Sequence, residues 1–157
     1  MKTALLSNVN MNISIRILKH DVDVYESEGY GNELGILLNP LSSLYTFNPD
    51  IVFLIIDLME IIKHELCIDV LEKHINNWFS QLEAAINNST IYYISDAYLW
   101  GAELDVLIDK GLKHRIENIW QDRLLKLIES HRNVRIFPYH HMVEKIRSEE
   151  HTSELQS

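Results

Sequence analysis

Cysteine, glycine, proline and basic charge are all scarce in this chain of 157 residues, and each shortage closes off a class of protein. The single cysteine, Cys67, permits neither a disulfide framework nor a cysteine-based zinc site. None of the five glycines falls in Ser7-Asn8-Val9-Asn10, the loop after the first predicted strand. A phosphate-cradling loop there would need glycines so that backbone N–H groups could approach the anion, so dinucleotide and P-loop readings fail. Fourteen Lys and Arg against 23 Asp and Glu leave a formal charge of -9. Nucleic acid and anionic membranes both demand basic patches, so neither is expected as a partner. Long apolar runs are missing too. Ile51-Val52-Phe53-Leu54-Ile55-Ile56 is the most apolar stretch and is far too short to cross a bilayer. The opening MKTALLSNVN has one lysine and a very short apolar run, so it reads as a first strand and not as a signal peptide. A cytoplasmic location is the resulting expectation.

What remains is an ordinary globular composition, 46% hydrophobic and 24% charged, long enough for one domain with a core. The run Ile51 to Ile56 is β-branched and aromatic, bounded by Pro49-Asp50 and Asp57, and predicts a central strand buried on both faces. Around it the chain alternates. Thr3 to Leu6 is the first strand, and Asn10 or Asn12 caps a helix carrying Ile13, Ile17 and Leu18. Asp21 to Tyr25 is an outer strand, Glu26 to Gly35 a loop, and Pro40 to Phe47 a helical turn or two with Ser42 or Ser43 as cap. After the central strand come Leu58 to Ile62, a break near His64, and a long helix from about Leu66 to Ile86. Thr90 to Ile94 is the fourth strand, and Trp100 to Lys110 a short helix or loop broken by Gly111. An amphipathic helix from Ile116 to Ser130 precedes a fifth strand at Asn133 to Phe137. The expected fold is α/β, a three-layer α/β/α sandwich with a five-stranded parallel sheet. A flavodoxin- or SGNH-like order 2-1-3-4-5 and a Rossmann-type order both fit. The first brings the ends of strands one and three together and makes a candidate crevice of Ser7, Asn8, Asn10, Asp57, Ser95 and Asp96. The bland counterpart is that Asn8 and Asp57 merely cap the helices that follow.

Catalytic constellations fare poorly. SGNH hydrolases carry their nucleophilic serine in a Gly-Asp-Ser motif after strand one; here the stretch is Leu6-Ser7-Asn8, which puts Asn8 at the serine's place and Ser7 one residue early. An Asp-x-x-His pair to activate it is missing, since Asp122 lies within a helix and His131 follows nine residues later. His64-Glu65 lacks the second histidine of a zinc helix, and His140-His141 reads as a solvated helix start. A phospho-acceptor role for Asp57 would need an acidic pair after strand one and a lysine after strand five, where Pro138-Tyr139 stands. No catalytic residue and no metal ligand is assigned.

Three stretches together carry a resemblance: LLSNVN at the first strand, VDVYESEGYGNEL, and LNPLSSLYTFNPDIVFLIID. With the later IENIWQDRLLKLIESHRNVRIFPYHHMVEKI, the chain from Lys2 to Ile146 resembles the N-terminal SGNH-like domain of FkbH-like proteins, in the haloacid dehalogenase-like superfamily, subfamily IIIC. The most specific part is Ser43-Leu44-Tyr45-Thr46-Phe47-Asn48-Pro49-Asp50, which has one spacer fewer than the family's pattern between Ser43 and Leu44. The resemblance implies a catalytic domain further on, with a magnesium-binding Asp-x-Asp motif, that loads a glyceryl or acyl unit onto an acyl carrier protein in polyketide or surface-polysaccharide pathways. Asp21-Val22-Asp23 precedes its strand and does not match that motif, so no cofactor is expected in this fragment and magnesium belongs to the missing domain. An acyl carrier protein and that catalytic domain are the expected partners. The competing readings are an SGNH-type esterase using Ser7 and a stand-alone binding module. Residues 147–157, RSEEHTSELQS, match the translation of a common sequencing-library adapter. They are expected to be an artefact appended to a domain of residues 1–146 that is truncated at its C-terminal end.

Overall fold

The run that dominates the sequence forms the middle of the sheet. In the computed structural model, which describes residues 1–27, 31–62, 67–97 and 110–156, β3 (Ile51–Ile55) lies between β1 (Lys2–Ser7) and β4 (Ile91–Ser95). β2 (Asp23–Tyr25) pairs with β1 at one edge and β5 (Val134–Phe137) with β4 at the other, giving the order β2-β1-β3-β4-β5 with every pair parallel. This is the flavodoxin-like order, and the Rossmann-type alternative is set aside. The connections hold the helices α1 (Asn12–Leu18), α2 (Glu33–Leu38), α3 (Ser43–Phe47), α4 (Leu58–Ile62), α5 (Ile68–Ala85) and α6 (Lys110–Ser130), with α7 (Tyr139–Gln156) after the last strand.

Strand side chains alternate between faces, so the register sorts the sheet residues. Ala4, Val52 and Tyr92 pair across the sheet on one face, as do Leu6, Leu54 and Ile94. All six are buried, and against them pack Leu71, Ile75, Phe79 and Leu82 of α5 and Ile116, Trp120 and Leu124 of α6. The rings of Trp78, Phe79 and Trp120 form the seam between the two helices, with Phe79 and Trp120 centroids 4.6 Å apart. Trp120 also donates its Nε1 hydrogen to the Ser95 carbonyl at 3.1 Å, so a buried indole leaves no orphan donor.

The opposite face is thinner, which corrects the expectation that β3 is buried on both sides. Ile51 and Phe53 are only half-buried. Phe53 stacks on Tyr93 at 5.1 Å and meets the edge of Phe137 at 5.5 Å. Right-handed crossovers place α1 on this side, where Tyr139 at the start of α7 joins it, while α2, α5 and α6 go to the other. α1 has only seven residues and buries none of them; Ile13 and Ile17 are 75% and 63% exposed.

Other boundaries also move. The segment read as a loop through Gly35 turns into α2 from Glu33, because Leu34 and Leu37 supply one apolar face for it to bury. Ser42 precedes α3 without capping it; its hydroxyl donates to the Ile36 carbonyl at 2.8 Å and ties α3 to α2. Asn48 ends α3 in the left-handed conformation, φ 56°, tolerable for asparagine. Asn10 does not cap α1 as its Ncap; its Oδ1 accepts the Asn12 N–H at 3.0 Å one position outside. Gly111 stands in the first turn of α6 and does not break it. α7, expected to start near His140 and to be interrupted by residues 147–157, instead runs on to Gln156, since residues 139–156 hold no glycine or proline to stop it. The break near His64, the helix start at Leu66 and the Trp100 segment lie outside the described residues. Among the described residues no helix is long and apolar enough to cross a membrane.

Candidate functional site

All five strands point the same way, so their C-terminal ends share one edge, and the two central strands deliver Ser7, Asn8 and Asp57 to it together. What those side chains do there is specific. The Ser7 hydroxyl donates to the Ile55 carbonyl at 2.5 Å and accepts the Val9 N–H at 3.1 Å. Asn8 extends its amide across to the next strand end: Nδ2 donates to the Asp57 carbonyl at 2.9 Å, and Oδ1 accepts the Asp57 N–H at 2.8 Å. The amide thereby acts as one more rung of the ladder, just past the last backbone pair, Ser7 and Ile55. The Asp57 carboxylate turns toward α4 and accepts the Met59 N–H at 3.0 Å. Ser95, fully buried, accepts the Ile56 N–H at 2.9 Å. Asp96 accepts the His140 N–H at 2.8 Å and so fastens the end of β4 to the start of α7. Asn10 is exposed and bonded only locally.

Thus Ser7, Asn8, Asp57 and Ser95 are joined in one buried network, Asp96 sits at its β5 side, and Asn10 stands apart. Among the described residues the Ser7 hydroxyl meets no histidine. Nor do three His, Cys, Asp or Glu side chains there stand close enough together to hold a metal ion.

Beside this network lies a cleft of about 340 Å³, framed by α2, α4 and α5, with Asn8 and Gly31 at its sheet end. Gly31 has φ 88°, which glycine alone adopts without strain, and its N–H donates to the Ser7 carbonyl at 3.0 Å, folding the loop after β2 over β1. The wall contains Glu33, Glu60, His74, Asn77, Trp78 and Gln81. His74, Asn77, Trp78 and Gln81 recur at i, i+3, i+4 and i+7, one stripe of α5. Glu33 is buried; its Oε1 takes a long 3.4 Å hydrogen bond from Trp78 Nε1, and its Oε2 has no partner. Sequence reasoning missed these residues. The signal available was the polar stripe beside the apolar face of α5; Glu33 itself was hidden in a stretch read as loop.

Comparison with known proteins returns a fold and little more. No protein-family model matches the sequence, and no curated protein matches it. Among solved structures, the chain is similar to the N-terminal part of a protein from Bacteroides fragilis, described as containing a phosphatase domain and complexed with magnesium. The TM-score is 0.65 at 15% sequence identity, over 87% of this chain. The chain spans 39% of the length of that neighbour, and at this identity the likeness shows a shared α/β fold.

Proposed function

We propose that this chain is a non-catalytic binding domain of a larger FkbH-like biosynthetic enzyme, holding an acyl carrier protein or the catalytic dehalogenase-like domain in place. The observation that carries this is the network at the strand ends. In an esterase of this architecture a serine there must be presented to substrate and paired with a base. Here Ser7 spends its hydroxyl on Ile55 and Val9, and Asn8 spends its whole amide on the Asp57 backbone. The edge is built to be rigid, with a concave, polar cleft beside it, which suits recognition better than bond cleavage. The similarity to one part of a much longer, phosphatase-containing chain supports a role next to another domain. Magnesium enters this reading only through that other domain. Among the described residues no three His, Cys, Asp or Glu side chains group to hold the ion, and no step in this chain is routed through it.

The test is direct binding of the immobilised full chain to two probes: a holo acyl carrier protein and a separately expressed dehalogenase-like domain, both from the same locus. Saturable binding of either supports the proposal, and failure of both to bind overturns it.

A further inference from the structure

We propose that the cleft framed by α2, α4 and α5 binds an alkylammonium group, with Glu33 as its anionic anchor. This rests on the reading of the chain as a binding domain and adds the chemistry of what it binds. Glu33 is only 8% exposed, and its Oε2 has no hydrogen-bond partner. A buried carboxyl oxygen without a donor is costly, and packing alone would favour an apolar residue there, as at neighbouring Leu34 and Leu37. A ligand that brings its own N–H donors removes that cost. The rest of the wall points the same way. Asn77 and Gln81 offer amide oxygens, and Glu60 adds a second carboxylate at the exposed rim. No Lys or Arg is among the described residues lining the cleft. Among the described residues a phosphate or carboxylate ligand would therefore meet two carboxylates and no Lys or Arg, with the His74 imidazole also on the wall. An ammonium group presents three donors and no acceptor, matching an acceptor-rich wall. The volume, about 340 Å³, suits a short alkyl chain carrying that group.

The group has two sources, a free small amine or a lysine side chain of a protein partner, and the experiment separates them. The full chain, labelled with nitrogen-15, is titrated with n-butylamine, with the blocked peptide acetyl-Ala-Lys-Ala-amide, and with n-butanol and butyrate as controls. Amide shifts at Glu33, Leu34, Asn77 and Gln81 are expected to saturate with n-butylamine and to be absent with both controls. Saturation by the peptide as well assigns the site to a lysine; saturation by n-butylamine alone assigns it to a small amine. Glu33→Gln should weaken binding by about tenfold, the worth of one charge-assisted hydrogen bond. Asn77→Leu, on an exposed position of α5, provides a second variant that should weaken it without touching the core. No saturable shift with either amine, equal binding by butyrate, or unchanged affinity in both variants overturns the proposal. The titration uses this chain alone, so carrier-protein binding that fails while n-butylamine binds overturns only the parent reading, and the reverse result overturns only this one.

Discussion

Asn8 shows how much one side chain decides at the strand ends. Its amide matches a backbone N–H and C=O of a residue 49 positions away. Asn8→Ala removes both of its hydrogen bonds to the buried Asp57 backbone and leaves that carbonyl the longer 3.3 Å bond from the Glu60 N–H, so equilibrium unfolding in urea should show a loss of about 1 to 3 kcal/mol. A loss below about 0.5 kcal/mol, the range of an ordinary surface change, would mean that the network is dispensable. Tyr92 is a second test at this scale. It is 1% exposed, and burial raises its hydroxyl pKa above the usual 10.0, with the hydrogen bond from the Asn87 backbone opposing the shift. Above pH about 10 the unfolded chain releases this proton while the folded chain keeps it. Stability from this group is therefore complete below the ordinary tyrosine pKa and falls as the pH rises through the folded one. Tyr92→Phe should flatten the alkaline fall in stability, and an unchanged slope between about pH 9 and about pH 11 would contradict the assignment. Asn8 and Asp57 were legible from sequence as residues of one sheet edge, since both follow predicted strands. That they bond to each other was not, because pattern gives position along a strand and no pairing between side chain and distant backbone.

At the scale of elements, and among the described residues, periodicity finds every strand to within about two residues and most helices, although α6 begins at Lys110 and not at Ile116. It failed where punctuation was over-read. Gly35 reads as loop, yet the helix forms across it because Leu34 and Leu37 gain burial worth more than the roughly 1 kcal/mol that a helical glycine costs. Gly111 sits near the N-terminal end of α6, and the 21-residue helix forms across it. Gly35 also hides Glu33, which the sequence pattern leaves in a loop. α7 raises a different issue. Its residues through Glu149 are largely exposed, including Met142 and Ile146, so the helix persists on local propensity with little packing. Deleting residues 147–157 should therefore leave the melting temperature within about 1 °C. A drop of several degrees, on the order of 1 kcal/mol, would show that the tail packs.

For the whole molecule, one covered face and one thin face follow from topology. Crossovers of one hand send α2, α5 and α6 to the Trp120 side and leave the Phe53 side to α1 and the start of α7. Stability should accordingly be concentrated in the former: Trp120→Ala should cost about 3 to 5 kcal/mol, and Ile17→Ala less than about 0.5 kcal/mol, by chemical denaturation. The same topology collects the strand ends into one edge, where Ser7, Asn8 and Ser95 hydrogen-bond to the backbone of the β3 end; recognition through the neighbouring cleft is the proposal. The central claim, that this edge does no bond-breaking chemistry, is tested most directly by hydrolysis of p-nitrophenyl acetate. The expected rate is that of buffer, identical for the native chain and for folded Ser7→Ala; turnover well above buffer that disappears in Ser7→Ala would contradict it.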